Sequence, residues 1–203
     1  GSEENQWTPI GTNSRPYSGT FDGQNFKISG LYIKNTSSAT DYQGLFGYLG
    51  TSGDNKGTVQ NLTVSGSVSV SHGENVGGIV GYNSSGTVTN CAFSGTVTGG
   101  MYVGGVVGYN GGTVTGCIFS GSGSVSGVTG SDYVGGIVGY NGIGATVSNC
   151  YNTGTGSVSG SEDVGGVVGW NDSGTVKNCY NIGEVSGNIS VGGVVGYNDG
   201  SST

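Results

Sequence analysis

Val76-Gly77-Gly78-Ile79-Val80-Gly81-Tyr82-Asn83 decides the fold, because it returns almost unchanged at 103–110, 134–141, 164–171 and 191–198. A variant, Tyr42-Gln43-Gly44-Leu45-Phe46-Gly47-Tyr48, precedes it. Measured at the aromatic position, from Tyr48 through Tyr82, Tyr109, Tyr140 and Trp170 to Tyr197, the copies lie 34, 27, 31, 30 and 27 residues apart. Two more blocks follow each copy. The second is Gly57-Thr58-Val59-Gln60-Asn61-Leu62, matched by Gly86-Thr87-Val88-Thr89-Asn90-Cys91 and by segments ending at Cys117, Cys150 and Cys179. The third is Ser67-Val68-Ser69, matched around Val97, Val125, Val158 and Val185. Self-similarity at this period marks a solenoid, a propeller or an array. A propeller blade takes four strands, so three short strands in a repeat of this length favour a solenoid.

The expected fold is therefore all-β, a parallel β-helix or β-solenoid of about six coils with three short strands per coil, each coil about 4.8 Å from the next. Composition agrees. Glycine fills 47 of 203 positions without the strict three-residue period of collagen, and the 33% of hydrophobic residues are regularly placed, unlike those of a disordered chain. Val, Thr and Tyr suit strands, whereas glycine and β-branched residues form poor helices. Residues 1–40 depart from the repeat and hold both prolines, Pro9 and Pro16. They are expected to cap the first coil, leaving 41–203 as the repeat solenoid. The start at Gly1 without Met and the stop one strand into a new repeat point to a piece of a longer chain.

Equivalent residues of stacked coils form columns. Val68, Val97, Val125, Val158 and Val185 are flanked mostly by Ser or Thr, a period of two that turns Val inward and hydroxyls outward. Ile79-Val80 and Val106-Val107 break that alternation, so their strand is either covered on both sides or lies in an exposed apolar groove.

The Gly-hydrophobic-hydrophobic-Gly core, as in Gly44-Leu45-Phe46-Gly47 and Gly78-Ile79-Val80-Gly81, resembles the GLUG repeat of bacterial surface proteins. Trp7-Thr8-Pro9-Ile10-Gly11 and the stretch from Gly19 to Ile33 are similar to the lead-in of such arrays. The resemblance implies a secreted or surface-attached, extracellular bacterial protein, in a family with adhesin-like molecules and with stalks beside immunoglobulin-A-cleaving metallopeptidases. It does not imply protease activity, because no zinc-binding HExxH occurs.

Candidate functional residues also fall into columns. Cys91, Cys117, Cys150 and Cys179 share a slot with Leu62, which favours a ladder of buried thiols; disulfides and zinc are weaker readings. Tyr48, Tyr82, Tyr109, Tyr140, Trp170 and Tyr197 could form a platform for a sugar chain or simply stack on each other. Asn83, Asn110, Asn141, Asn171 and Asn198 are expected to take left-handed turns or to satisfy one another as stacked amides. Glu74, Asp132, Glu162, Asp163, Asp172 and Asp199 read as solvated loop charge, since a calcium site needs six or more oxygens in a defined pattern. His72, the single histidine, reads as a loop residue.

The functional expectation is a non-enzymatic stalk or adhesin segment with no catalytic residue, metal or cofactor. One alternative is a glycan-binding module using the aromatic column on a host or matrix glycan or protein. The other is a degenerate carbohydrate-active β-helix, with Asp22 and Asp41 as its early acids. A net charge of -7 with five cations argues against nucleic acid, and no apolar run reaches the roughly 20 residues of a membrane span. The uncapped C-terminal coil offers an edge for end-to-end self-association.

Overall fold

A computed structural model describes residues 5–36, 40–127 and 131–199; Gly1 to Glu4 and Gly200, on which the readings of the two ends rested, lie outside them. The chain winds into a parallel β-solenoid of about five turns, slightly fewer than the expected six. Three parallel sheets line it, of 13, six and five strands, with a small antiparallel hairpin of Thr51–Ser52 and Asn55–Lys56 beside them.

The repeat blocks map onto these faces differently from their order in the sequence. The eight-residue motif does not form one strand. Its first half ends the five-stranded sheet (Glu74–Gly77, Met101–Gly104, Asp132–Gly135, Glu162–Gly165, Ile189–Gly192), and its second half builds the six-stranded one, including Val80–Asn83 and Val107–Asn110. The second and third blocks share the long sheet, where Thr58–Val70 and Thr87–Gly99 each run unbroken along one face. Later coils divide that face into shorter strands, such as Thr113–Thr115, Ile118–Ser120 and Val125–Gly127.

A corner inside the motif settles the broken alternation. Ile79 and Val80 are both fully buried. Their chain turns from one sheet into the next, so consecutive side chains point into the same core. Both of their amides donate to the one carbonyl of Val106 in the following coil. Neither an exposed groove nor a second covering layer is needed.

The lead-in joins the same stack. Thr20–Asp22 and Lys27–Asn35 pair in parallel with Thr58–Val70, and Ile10 and Tyr17 bridge to Phe46 and Leu49. Trp7 then lies along the outer edge, its backbone N–H donating to Tyr32 O and its indole Nε1 to Leu45 O, both at 2.9 Å.

Glycine at the corner is required by the neighbouring coil. A Cβ on Gly105 would meet Gly136 O at 2.2 Å and the Phe119 ring at 2.6 Å, whereas the equivalent Gly193 in the last coil has nothing within 4 Å. Gly105→Ala is therefore expected to cost about 1–3 kcal/mol through overpacking, with Gly193→Ala near neutral. Chemical denaturation of the two variants checks this, and equal effects would contradict a stack-imposed constraint.

Candidate functional site

Each turn contributes one aromatic ring to a common edge. Four of the six expected rings stack face to face, at centroid separations of 4.7 Å for Tyr48–Tyr82, 4.4 Å for Tyr82–Tyr109 and 4.9 Å for Tyr109–Tyr140. Trp170 continues the series edge-on to Tyr140 and Tyr197, at 5.5 Å from each. Because the ring faces lie against each other, the rim is what an approaching molecule meets. Such pairs contribute about 0.5–1.5 kcal/mol each beyond burial.

A second aromatic column leans on the first and was missed in the sequence. Tyr42 packs against Tyr48 and Tyr82, Tyr102 against Tyr109 and Tyr140, and Tyr133 against Tyr140 and Trp170. These tyrosines sit at φ of 62°, 53° and 60°, as do their counterparts Asn75, Asp163 and Ser190 at 60°, 50° and 52°. A left-handed residue once per coil turns its side chain out of the normal pleat. For a bulky residue it costs about 1–3 kcal/mol, offset here by ring contacts. Their fixed offset, six or seven residues before each ladder ring, was the available signal.

Behind the rings runs a buried amide ladder. Asn83 Nδ2 donates to Asn110 Oδ1 at 2.8 Å, Asn110 to Asn141 at 2.8 Å, Asn141 to Asn171 at 2.7 Å and Asn171 to Asn198 at 2.7 Å. Leu49 fills the slot in the preceding coil, so the ladder begins at Asn83. Of the two roles expected for these asparagines, they take mutual satisfaction. Left-handed backbone falls instead to Asn61, Asn90, Asn149 and Asn178 on the long sheet. A shorter ladder sits within the core itself, where the column Val64, Phe93, Phe119 continues as Asn152 and Asn181. Asn152 is fully buried and donates to Asn181 Oδ1 at 2.8 Å.

The four thiols are unbridged, with Cys91, Cys117 and Cys150 buried and Cys179 partly so. Each Sγ lies 3.2–3.5 Å from the carbonyl two residues before it, as in Cys91 to Thr89 O at 3.2 Å and Cys117 to Thr115 O at 3.5 Å. Contacts with the Cys150 and Cys91 thiols, together with burial, push Cys117 well above the usual thiol range.

The acids are spread along the edges. Asp22 accepts from Gln24 N, Gln60 Nε2 and Asn61 Nδ2, and these bonds, led by that from Gln24, hold its carboxyl below the ordinary range, the opposite of a general acid's need. Asp41 accepts from the backbone N–H of Glu74. Glu74, Asp132 and Glu162 line the outer side of the five-stranded sheet beside the second aromatic column. No group of three or more His, Cys, Asp or Glu converges on a metal position among the described residues. Two hollows lie at the ends of the stack, about 310 Å³ beside Trp7 and Leu31 and about 370 Å³ beside Val176, Cys179 and Val195.

Segments 72–98, 130–159 and 160–186 match the model of the GLUG motif. The chain carries GLUG motifs. In the structure each is about one turn, and 99–129 between two of the matches places its rings and amides in the same columns. Halomucin of Haloquadratum walsbyi is 39% identical over 93 residues, an overlap of 46% of this chain and 1% of halomucin. That relative is archaeal, so it does not carry the bacterial origin implied by the resemblance. A provisionally named immunoglobulin A1 protease from Bacteroides ovatus is similar in structure at a TM-score of 0.48 and 20% identity, over 97% of this chain and 66% of that one.

Removing the Asn110 side chain takes the acceptor from Asn83 Nδ2 and from the Gly112 N–H and the donor from Asn141 Oδ1, so Asn110→Ala is expected to cost roughly 2–4 kcal/mol. The terminal Asn198→Ala should cost under about 1 kcal/mol, a contrast that urea titration resolves. Burial is the leading cause that raises Tyr42, Tyr82, Tyr102, Tyr133 and Tyr140 above their ordinary value of 10.0. The unfolded chain therefore loses these protons first. Their contribution to stability is complete below pH 10 and lost as pH rises above it. Tyrosinate absorbance should thus appear late and together with loss of the far-ultraviolet β signal.

Proposed function

We propose that this chain is a non-enzymatic, extracellular spacer, a stalk or adhesive segment at a cell surface. The observation that carries the proposal is the use of the repeated amides, rings and thiols for the neighbouring coil: amides donate to amides, rings cover rings and thiols lie on carbonyls. Such side chains make a stiff stack rather than a site where different groups converge. The GLUG matches and the likeness to halomucin support a repeat protein at the cell surface. Residues 1–40 act as the cap of this spacer. The exposed strands of the last described coil, with Ile189 54%, Val191 45% and Tyr197 45% exposed, supply an edge on which a further coil could pair end to end.

The rim of the aromatic ladder keeps a second reading in play, a glycan-binding module with host or matrix sugar as ligand. Beads coated with the chain are expected to bind a glycan array no differently when Tyr109→Ala and Tyr140→Ala are combined. Selective loss of binding with an unchanged melting transition would replace the spacer by a glycan-binding module. Release of reducing sugar from a polysaccharide, abolished by Asp22→Asn, would replace it by an enzyme.

A further inference from the structure

The two largest-reaching members of the aromatic ladder differ in where a proton can go. Trp170 lies 4.8 Å from Tyr133 and 5.5 Å from both Tyr140 and Tyr197, ring to ring. Its indole Nε1–H is buried without a hydrogen-bond acceptor. Tyr140, next to it, donates its phenolic O–H to Asp172 Oδ2. Asp172 follows Trp170 by two residues, so the turn that ends this copy of the motif brings a carboxylate back over the ring of the preceding coil, where Ser84, Gly111 and Gly142 stand in earlier coils. Beyond Tyr140 the rings of Tyr109 and Tyr82 continue at 4.9 Å and 4.4 Å.

Ring-to-ring electron exchange falls steeply with distance, and separations of this size are contact distances for aromatic pairs. What then decides where an oxidising equivalent comes to rest is proton transfer. We propose that the ladder is a one-electron redox chain that takes oxidising equivalents from small radical oxidants in the surroundings and holds them as a neutral tyrosyl radical at Tyr140, with Asp172 as proton acceptor.

The oxidant removes one electron from the Trp170 indole and leaves reduced. With no base at Nε1, the indole radical cation keeps its proton and remains strongly oxidising. An electron passes from the Tyr140 ring to Trp170 while the phenolic proton moves to Asp172 Oδ2. One O–H bond breaks and one forms, giving neutral Trp170, a neutral phenoxyl radical and a carboxylic acid. Net, one electron has left the protein. An ionised carboxylate at the end of a charge-assisted hydrogen bond suits this transfer, because the proton's path is already set.

Pulse-generated azide radical is a suitable probe, used on the full chain carrying Trp7→Phe so that Trp170 is the remaining indole. Transient absorbance should show the indolyl radical decaying with a rate independent of protein concentration as the phenoxyl signal grows. Asp172→Asn is expected to slow this transfer by about tenfold. Tyr140→Phe, which keeps the ring and its packing, should remove most of the fast phenoxyl growth, whereas Asp132→Asn should leave it unchanged. Circular dichroism checks that each variant retains its β signal. An unaltered rate in Asp172→Asn, or undiminished fast growth in Tyr140→Phe, would overturn the proposal.

Discussion

Parallel pairing of each coil with the next, in unchanged register, is the constraint on which the rest of the molecule depends. Val107 pairs with Val80 and Val138, Tyr109 with Tyr82 and Tyr140, and Asn110 with Asn83 and Asn141. Once the backbone repeats at strand spacing, every side chain meets a copy of itself. A residue survives in such a column only if it tolerates its own image. Valine packs on valine, amides donate and accept in one direction, rings stack, and glycine admits the neighbouring carbonyl at the corner. Repeated charge is tolerated only toward solvent, as where Asp132 pairs with Glu162 on the outer side of the five-stranded sheet.

The polar ladders also fix the stack. A chain of buried amides has one direction and one register, since a slip by a single residue would bring Asn110 opposite Tyr or Gly and leave buried donors unpaired. The hydrophobic columns are more permissive, as Leu62 opposite Cys91 and Phe119 opposite Asn152 illustrate. Apolar burial therefore supplies most of the driving force for stacking, and the amides supply its specificity. Trp7 and the strands after it occupy the first described edge of the stack.

Much of this was legible in the sequence. Equal spacing gave the coil, the period-two segments around Val68 and Val97 gave the long sheet, and recurrence of Cys and Asn gave their columns. The misreadings cluster where one residue changes direction. Ile79-Val80 looked like a strand covered on both sides or lying in an exposed groove, but the chain bends there and both side chains enter one core. The second aromatic column went unread because a left-handed φ at Tyr102 and Tyr133 swings each onto the neighbouring ladder. For Asn83 the sequence left a left-handed turn and a stacked amide open, and burial selects the amide, which donates to Asn110.

By itself the sequence determined the period, and with it the parallel stack and the membership of each column, because identical residues at regular intervals leave few other arrangements that bury their apolar side. Which columns share a face, where the corners fall and which phenol meets a carboxylate were decided only by the tertiary structure. Those features depend on the close approach admitted by Gly78 and its equivalents, on the left-handed backbone of Tyr102 and its equivalents, and on the return of a turn such as Asp172 over the previous coil. Periodicity encodes what recurs along the axis, but the cross-section of a coil is set by packing within one turn.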